Sequence, residues 1–386
     1  MKIKSIIFFI GILISSFTLK AQFKLNVAVD TVFNKANKPV LKTLYKYIKA
    51  RKENKDAKGF WIDKEVKNHK RYDFNDDIIN YMEVDKCIIL GITQPKKNVF
   101  KVKLQYQNIG TDGANTIYYV VNYILYKQDD DYRLGNTLLF NINQHEYVKI
   151  ESNKIDYYFP QKFAYSKDKI DSANRYLSQI ESFFDKALGF KLNYMVANSC
   201  EELYNLKGYD YLAGTLSSIN STCGFYDQKN LIIYSANGAF YKHELLRTLN
   251  TILPATPEIF RDGLTNLCGG SRGFPIIYHL KKLYPYLLEH PEVFSNLDDF
   301  YYYDEETSPG FVFNAVITNY VIKKEGREGF LKIMLLESNK DISIADFLLK
   351  QYDISDLKTF FLSEFSEYRN KAKLEHENLF EKGMAR

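Results

Sequence analysis

Cysteine, histidine and tryptophan are scarce in this sequence. Its 386 residues include four cysteines, six histidines and a single tryptophan. None of the cysteines forms a CxxC pair, so a structural zinc cluster is unsupported. Beyond residues 1–21, no stretch approaches the ~18 consecutive apolar residues that a membrane-spanning helix requires. These absences exclude a scaffold built on a cysteine–zinc cluster and a multi-span membrane protein.

An excess of charge of one sign is also missing. The formal net charge is +5, and it falls to +2 when the three lysines of residues 1–21 are subtracted. A near-neutral surface argues against nucleic acid as the main partner. With 46% hydrophobic and 26% charged residues, the chain is too apolar to be disordered. At roughly 150 residues per domain, its length predicts two domains with separate cores.

Residues 1–21 have the pattern of a secretory signal peptide. Lys2 and Lys4 precede an almost wholly apolar run, residues 5–17, which is too short to span a bilayer comfortably. Cleavage after Ala21 would leave Gln22 at the new N-terminus. We therefore expect export, to the periplasm, the cell surface or the medium, with no membrane span after cleavage. An uncleaved N-terminal anchor is the alternative.

Residues 22–152 predict an α+β roll domain. Apolar residues at helical spacing in 38–52 predict a helix with a basic outer face. Four runs rich in β-branched and aromatic residues follow, and turn signals separate them. A helix followed by antiparallel strands is typical of a small roll. The predicted strand runs are residues 87–94, 99–109, 114–128 and 132–142.

Residues 153–386 predict a second domain, with a small α/β lobe followed by a mainly helical lobe. Within the α/β lobe, Ser199 is a candidate N-cap for a helix over 199–208, with Glu202 three residues later. The lobe's other predicted elements are a helix in 168–188, a strand over 191–198 and a pair of strands in 223–236. The later predicted helices are 240–253, 257–268, 275–288, 312–324, 329–336, 343–351 and 357–373. The whole chain is thus expected to be an α+β protein.

The four cysteines leave two interpretations open. In an oxidising compartment, Cys200 and Cys223 are the best candidates for a disulfide. Such a bridge would stabilise the fold by roughly 3 kcal/mol in the chain-entropy model. Alternatively, all four cysteines are small buried apolar residues.

The segment that carries chemical information is residues 238–249, GAFYKHELLRTL. In an HExxH helix, two histidines one turn apart bind the same zinc ion, and the glutamate polarises the metal-bound water. His243 and Glu244 match this pattern, but Arg247 stands at the position of the second histidine. Taken alone, such a match also fits an ordinary solvated helix face.

With its surroundings, the segment resembles the gluzincin metallopeptidases, the clan typified by thermolysin and the aminopeptidases. The extended segment 231–238, LIIYSANG, precedes it and is expected to follow the edge of a substrate cleft. Residues 257–270, PEIFRDGLTNLCGG, resemble the second active-site helix of that clan, in which a Glu-Gly pair supplies the third zinc ligand. Residues 310–329 resemble the helix and turn that follow. The resemblance covers roughly residues 155–370 and implies a gluzincin-like domain.

The resemblance implies a role for each matching position. His243 falls on the first zinc ligand and Glu244 on the general base, while Asp262 falls on the third ligand and Arg247 on the second. Aspartate keeps a carboxylate with a shorter reach. A guanidinium stays protonated and has no acceptor atom, so it cannot bind Zn²⁺. Since catalytic zinc sites have three protein ligands, we expect no zinc cofactor and no peptidase activity.

Arg247 is instead expected to replace the zinc as the local cation, bridging Asp262 and Glu244 by charge-assisted hydrogen bonds. An ordinary surface pair is the simpler alternative. The sequence thus predicts an exported pseudopeptidase whose inherited cleft binds peptide or glycan, an expectation that rests on analogy of fold. One alternative is an active zinc metallopeptidase that draws another ligand from elsewhere, such as His279. Another is a structural or surface-assembly protein.

Overall fold

The computed structural model describes residues 25–27, 37–69, 73, 79, 81, 83–109, 114–213, 223–336 and 342–381. The predicted signal peptide, residues 1–21, lies outside these ranges. The strands, in chain order, are β1 (Leu25–Val27), β2 (Lys86–Lys96), β3 (Val99–Ile109), β4 (Asn115–Gln128), β5 (Asp131–Gly135), β6 (Val148–Glu151), β7 (Ile155–Phe159), β8 (Leu192–Val196), β9 (Tyr209–Leu212), β10 (Gly224–Asp227) and β11 (Ile232–Ser235). The helices are α1 (Asn37–Lys52), α2 (Asp63–Asn68), α3 (Thr137–Gln144), α4 (Lys167–Phe184), α5 (Cys200–Lys207), α6 (Lys242–Leu246), α7 (Leu249–Ile252), α8 (Glu258–Gly269), α9 (Ile276–Glu289), α10 (Pro309–Met334), α11 (Ile344–Tyr352) and α12 (Leu357–Tyr368).

These elements form a mixed α+β protein with an antiparallel sheet and a helical C-terminal region, as the sequence predicts at this level. The described chain divides into two compact units. The first ends at Phe140 and also takes Gly208–Ala213, and the second contains the other residues. The division falls before the predicted boundary at 152/153 because β6 pairs with β7 in the sheet of the second unit.

The first unit is built on a sheet in which neighbouring strands follow the order β1-β2-β3-β4-β5. The pairs from β2 to β5 are antiparallel, and β1 pairs with β2 in parallel. The short strand β9, which the sequence did not predict, pairs with residues 119–121 of β4. On α1, Val40, Leu44, Tyr47 and Ile48 are buried, which confirms the predicted helix and its apolar stripe. The Trp61 ring meets Tyr47 edge to face, with centroids 5.8 Å apart.

One strand prediction in this region is wrong over half of its length. Residues 131–135 form β5, but residues 137–142 of the predicted run lie in helix α3. The Asn136 side chain accepts a hydrogen bond from the backbone N–H of Leu139 at 3.2 Å, as an N-cap residue does. This cap starts a helix where the apolar run alone favours a strand.

The second unit contains a mixed sheet with the strand order β10-β11-β8-β7-β6. The three inner strands are parallel, while β10 and β6 are antiparallel to their neighbours. Segment 231–238, which is expected to follow the edge of a substrate cleft, contains β11, and this strand lies between β8 and β10 in the sheet. All four residues of β11 are buried, as is typical of an interior strand. Within the described sheet, β10 is the outermost strand on this side.

Most predicted helices of the second unit are confirmed within a few residues. Pro257 and Pro275 are the N-cap residues of α8 and α9, and the side chains of Ser343 and Asp356 cap α11 and α12. The predicted helices 312–324 and 329–336 form one element, α10, which is kinked at Gly326 (φ 66°). None of the described helices combines the length and apolar character needed to cross a bilayer.

Cys200 and Cys223 form a disulfide across a sequence separation of 23 residues, with their Cα atoms 5.6 Å apart. Cys200 is the first residue of α5, and Cys223 directly precedes β10. The predicted N-cap of α5 is confirmed, since Ser199 Oγ accepts a hydrogen bond from Glu202 N at 3.1 Å. Cys87 and Cys268 are buried free thiols.

Candidate functional site

Two buried tyrosines hold the loop that leads from β11 into α6. The Tyr194 hydroxyl donates a hydrogen bond to Gly238 O at 3.1 Å and accepts one from Tyr241 N at 3.2 Å. The Tyr157 hydroxyl donates to Ala239 O at 3.0 Å. These contacts keep Tyr241 extended (φ −107°, ψ 98°), so α6 begins at residue 242 rather than at the predicted residue 240. Sequence reasoning missed both tyrosines. Tyr194 lies in the predicted strand 191–198, where alternation of side chains was a signal that it points inward, whereas Tyr157 lies in β7, which the sequence did not predict.

The predicted helix 240–253 is divided into α6 and α7. At the break, the Thr248 side chain donates a hydrogen bond to Leu245 O at 2.6 Å, and the Thr248 backbone N–H donates to the same oxygen at 3.3 Å. A threonine hydroxyl that bonds back to the preceding turn competes with regular helix geometry. Arg247 still donates its backbone N–H to His243 O at 3.2 Å, so these two side chains share one helix face.

The backbones of helices α8 and α6 come close together at Gly269 and His243. A Cβ atom placed on Gly269 would lie 2.6 Å from His243 Cα, so only glycine permits this approach. The next residue supplies a polar contact, because His243 Nδ1 and Gly270 O are 2.6 Å apart. A carbonyl oxygen can only accept, so Nδ1 carries the ring proton and donates it.

The other ring nitrogen of His243 faces Arg247. With Nδ1 protonated in the neutral ring, Nε2 is an acceptor, and Arg247 Nε donates to it at 3.4 Å. Burial, together with the positive charge of Arg247, lowers the pKa of His243 from 6.5 to about 4. The imidazole is therefore neutral at physiological pH, and its Nε2 lone pair accepts a hydrogen bond from a cation.

Glu244 lies next to Arg247 and is only 2% exposed. Its Oε2 is 3.8 Å from Arg247 Nε, and its Oε1 is 4.0 Å from His243 Nε2. Oε2 forms no hydrogen bond with any described atom. Burial raises the pKa of Glu244 from 4.5 to about 7, and Arg247 opposes that rise. The carboxyl group therefore titrates near neutral pH, and its Oε2 has no hydrogen-bond donor among the described atoms.

Asp262 on α8 lies within electrostatic range of Arg247. Burial raises the pKa of Asp262, and Arg247 is the largest opposing influence. Among the residues that the structure places, no ion pair or hydrogen bond joins the two side chains. The expected direct bridge is therefore replaced by contacts from Arg247 Nε to His243 and Glu244. The adjacent Gly263 packs closely on α10, where an added Cβ would meet Thr318 Oγ1 at 1.9 Å.

His279, considered as a further metal ligand, has both ring nitrogens engaged. Nε2 is 3.0 Å from Ser271 O and donates to it, so Nδ1 accepts from the Thr307 hydroxyl at 3.0 Å. Burial lowers the pKa of this buried imidazole. Across the described ranges, no group of three or more His, Cys, Asp or Glu side chains converges in a geometry that would hold a metal ion.

The backbone of β10 reaches the same cluster. A Cβ on Gly224 would lie 2.9 Å from both Glu244 Cγ and Tyr241 Cε1, so no side chain separates this strand from the two residues. Further along, the hydroxyls of Tyr226 and Thr251 are 2.7 Å apart, which joins β10 to α7. The sequence identified the strand but not its position at the sheet edge beside Glu244.

A cavity of about 370 Å³ is lined in part by Gly269 and Gly270. Its walls include Phe240, Tyr241, Lys242, Phe274 and Glu377. Lys242 also forms an ion pair with Glu381 in the C-terminal segment. The cavity adjoins the His243 cluster but is not lined by Arg247 or Glu244.

No known protein-family model matches this chain, and a search of curated proteins finds no significant match.

Proposed function

We propose that the second unit is a gluzincin-like domain in which Arg247 takes the place of the zinc ion, and that it binds peptide without hydrolysing it. The observation that carries the proposal is the 3.4 Å contact between Arg247 Nε and His243 Nε2. Since Nδ1 donates to Gly270, Nε2 is the ring nitrogen left to coordinate a metal. Here a guanidinium, which never acts as a ligand, already bonds to that nitrogen.

The donor set does not fit zinc. A catalytic site needs three protein ligands, but the matching positions offer one histidine and one aspartate beside a fixed positive charge. Bringing Zn²⁺ to Nε2 would place a dication against the guanidinium. His279, the candidate replacement ligand, uses both nitrogens in hydrogen bonds. We infer that water activation by a metal was lost and that binding remains.

Peptide is favoured over glycan because of β10. An extended peptide can add to an exposed sheet edge through backbone hydrogen bonds. The strand β10 is the outermost described strand on its side, and at Gly224 it lies directly against Glu244 and Tyr241. A peptide along this edge would therefore pass the cluster that replaces the metal centre.

We also infer that the protein is exported. The basic and apolar leader in residues 1–21 supports this inference. The disulfide between Cys200 and Cys223 is a second support, since such bonds persist in oxidising compartments.

Elemental analysis and a peptidase assay test the proposal together. We expect purified protein to contain no stoichiometric zinc and to leave a generic peptide library uncleaved, with or without added Zn²⁺. A chelator would then change neither result. The Glu244→Gln variant serves as the control for contaminating peptidases, because activity that survives this change does not come from the cluster.

The opposite pattern would establish an active enzyme. If one zinc is held per chain, and chelator-sensitive cleavage disappears in Glu244→Gln, the metal-free interpretation is overturned. An atypical zinc site would then be the correct description.

A further inference from the structure

The guanidinium of Arg247 has donors that the described protein does not use. Its Nε donates to His243, and no described atom accepts a hydrogen bond from its two terminal nitrogens. Arginine side chains present their N–H groups as a planar fork. The terminal N–H groups of Arg247 are therefore available to bind a ligand, and the side chain is one-third exposed (33%).

The guanidinium is also held in place. His243 receives its Nε–H at 3.4 Å, and Gly270 in turn fixes the imidazole at 2.6 Å. Glu244 lies 3.8 Å away on the same side. A cation whose orientation is set before binding loses less entropy when a ligand arrives.

A ligand that approaches from solvent meets Arg247 before it meets the buried members of the cluster. Glu244 and His243 are almost fully buried, whereas the arginine is partly exposed. A planar donor fork matches the two oxygens of a carboxylate in a bidentate pair. This deepens the proposed function and rests on it: we propose that the terminal nitrogens of Arg247 bind a carboxylate group of the peptide ligand.

Other charges around the fork bear on this binding. The positive charge of Arg247 acts on Asp262, and the other charged neighbours of Asp262 are Glu258 and Arg261. Tyr241 lies close to both Glu244 and Arg247. Among the described residues Asp262 forms no ion pair or hydrogen bond with Arg247, so its negative charge would repel an incoming carboxylate without competing for the hydrogen bonds of the guanidinium. The proposal therefore requires that neutralising Asp262 strengthens binding.

Three N-acetylated peptides of equal length test the idea by calorimetric titration at low ionic strength. One has a free C-terminus, one is amidated with an internal glutamate, and one is amidated and neutral. We expect one of the two acidic peptides, or both, to bind about tenfold more tightly than the neutral one, as a charge-assisted bidentate pair implies. Comparing the acidic peptides identifies the source of the carboxylate.

Variants then identify the partner on the protein. Arg247→Met should abolish the preference for acidic peptides, and Arg247→Lys, which keeps the charge without the fork, should reduce it. Asp262→Asn should tighten acidic peptides severalfold. Arg175→Met is the matched control, since this exposed arginine lies on α4 and bonds to Ser172. It should leave every affinity unchanged.

The outcomes separate the two proposals. If all three peptides bind equally, or if Asp262→Asn weakens the acidic ones, the carboxylate inference fails while peptide binding stands. If no peptide binds, or a uronate-containing glycan binds in their place, the proposed peptide function fails and takes this inference with it. Because the peptide comparison uses the wild-type chain, it does not depend on whether Arg247 variants fold.

Discussion

Arg247 Nε lies 3.4 Å from Nε2 of His243, so a permanent positive charge bonds to the ring nitrogen that faces away from Gly270. Burial lowers the pKa of this imidazole, and the guanidinium lowers it further, since protonating the ring would bring two cations together. Arg247 thus acts, together with burial, on the pKa values of His243, Glu244 and Asp262, and replacing it should change them in a measurable way.

Restoring the missing ligands should create a zinc site. In the double variant Arg247→His, Asp262→Glu, a second imidazole replaces the cation and the longer carboxylate regains one methylene of reach. We expect added Zn²⁺ to raise the melting temperature of the double variant but not of the wild type, because metal that binds only the folded state stabilises it. Adding His243→Gln should remove the effect. Equal zinc stabilisation of the wild type would contradict the idea.

Glu244→Gln should change the pH dependence of stability. The pKa of Glu244 is raised from 4.5 to about 7, so this carboxyl group binds more protons in the folded than in the unfolded chain in that window. The contribution of Glu244 to the free energy of unfolding therefore falls as pH rises from 4.5 to 7. His243, whose pKa is lowered from 6.5 to about 4, works in the opposite direction between those two values. The glutamine variant loses the Glu244 contribution and keeps that of His243.

Urea unfolding at a series of pH values measures this difference. The stability of Glu244→Gln relative to wild type should grow by up to about 3 kcal/mol between pH 4.5 and 7. Glu146→Gln, on an exposed turn, is the control and should follow the wild-type curve. A constant difference across the range would show that Glu244 titrates normally.

Gly269→Ala should destabilise the second unit. The new Cβ would lie 2.6 Å from His243 Cα and 2.8 Å from His243 N, so α6 and α8 must move apart. We expect a loss of about 1–3 kcal/mol in thermal or urea unfolding. Gly310→Ala is a matched control, because its Cβ would meet nothing within 4 Å. Similar losses in both variants would mean that the close approach of the helices is not responsible.

The disulfide predicts a definite pattern of thiol labelling. Iodoacetamide applied to the unfolded, unreduced protein should modify Cys87 and Cys268 only, and prior reduction should add Cys200 and Cys223. Replacing both bridged cysteines by serine should cost roughly 3 kcal/mol of stability. Mass spectrometry that finds four alkylated cysteines without reductant would refute the bridge.

Local patterns were sufficient for most helices after residue 257. Prolines and capping side chains mark where α8, α9, α11 and α12 begin, and apolar spacing continues through each of them. The same reasoning failed for α3, because a short apolar run fits a strand or a helix equally well. There, the cap contact of Asn136 decides the outcome.

Features set by distant parts of the chain were not predictable. The sequence indicates that His243, Arg247 and Asp262 belong together, but not which of them touch. That depends on how closely Gly269 lets α8 approach α6, and on a helix that breaks at Thr248. The interior position of β11 likewise depends on pairing with β8 and β10 rather than on its own residues.

The pairing of β9 with β4 also constrains the order in which the protein folds during synthesis. Tyr119–Val121 of β4 find their partners in Tyr209–Leu212, which leave the ribosome much later. A polypeptide truncated at Phe140 would lack that strand and present unsatisfied amide and carbonyl groups along β4, an edge prone to aggregation. The first unit is thus completed only after residues 141–207 of the second have been translated.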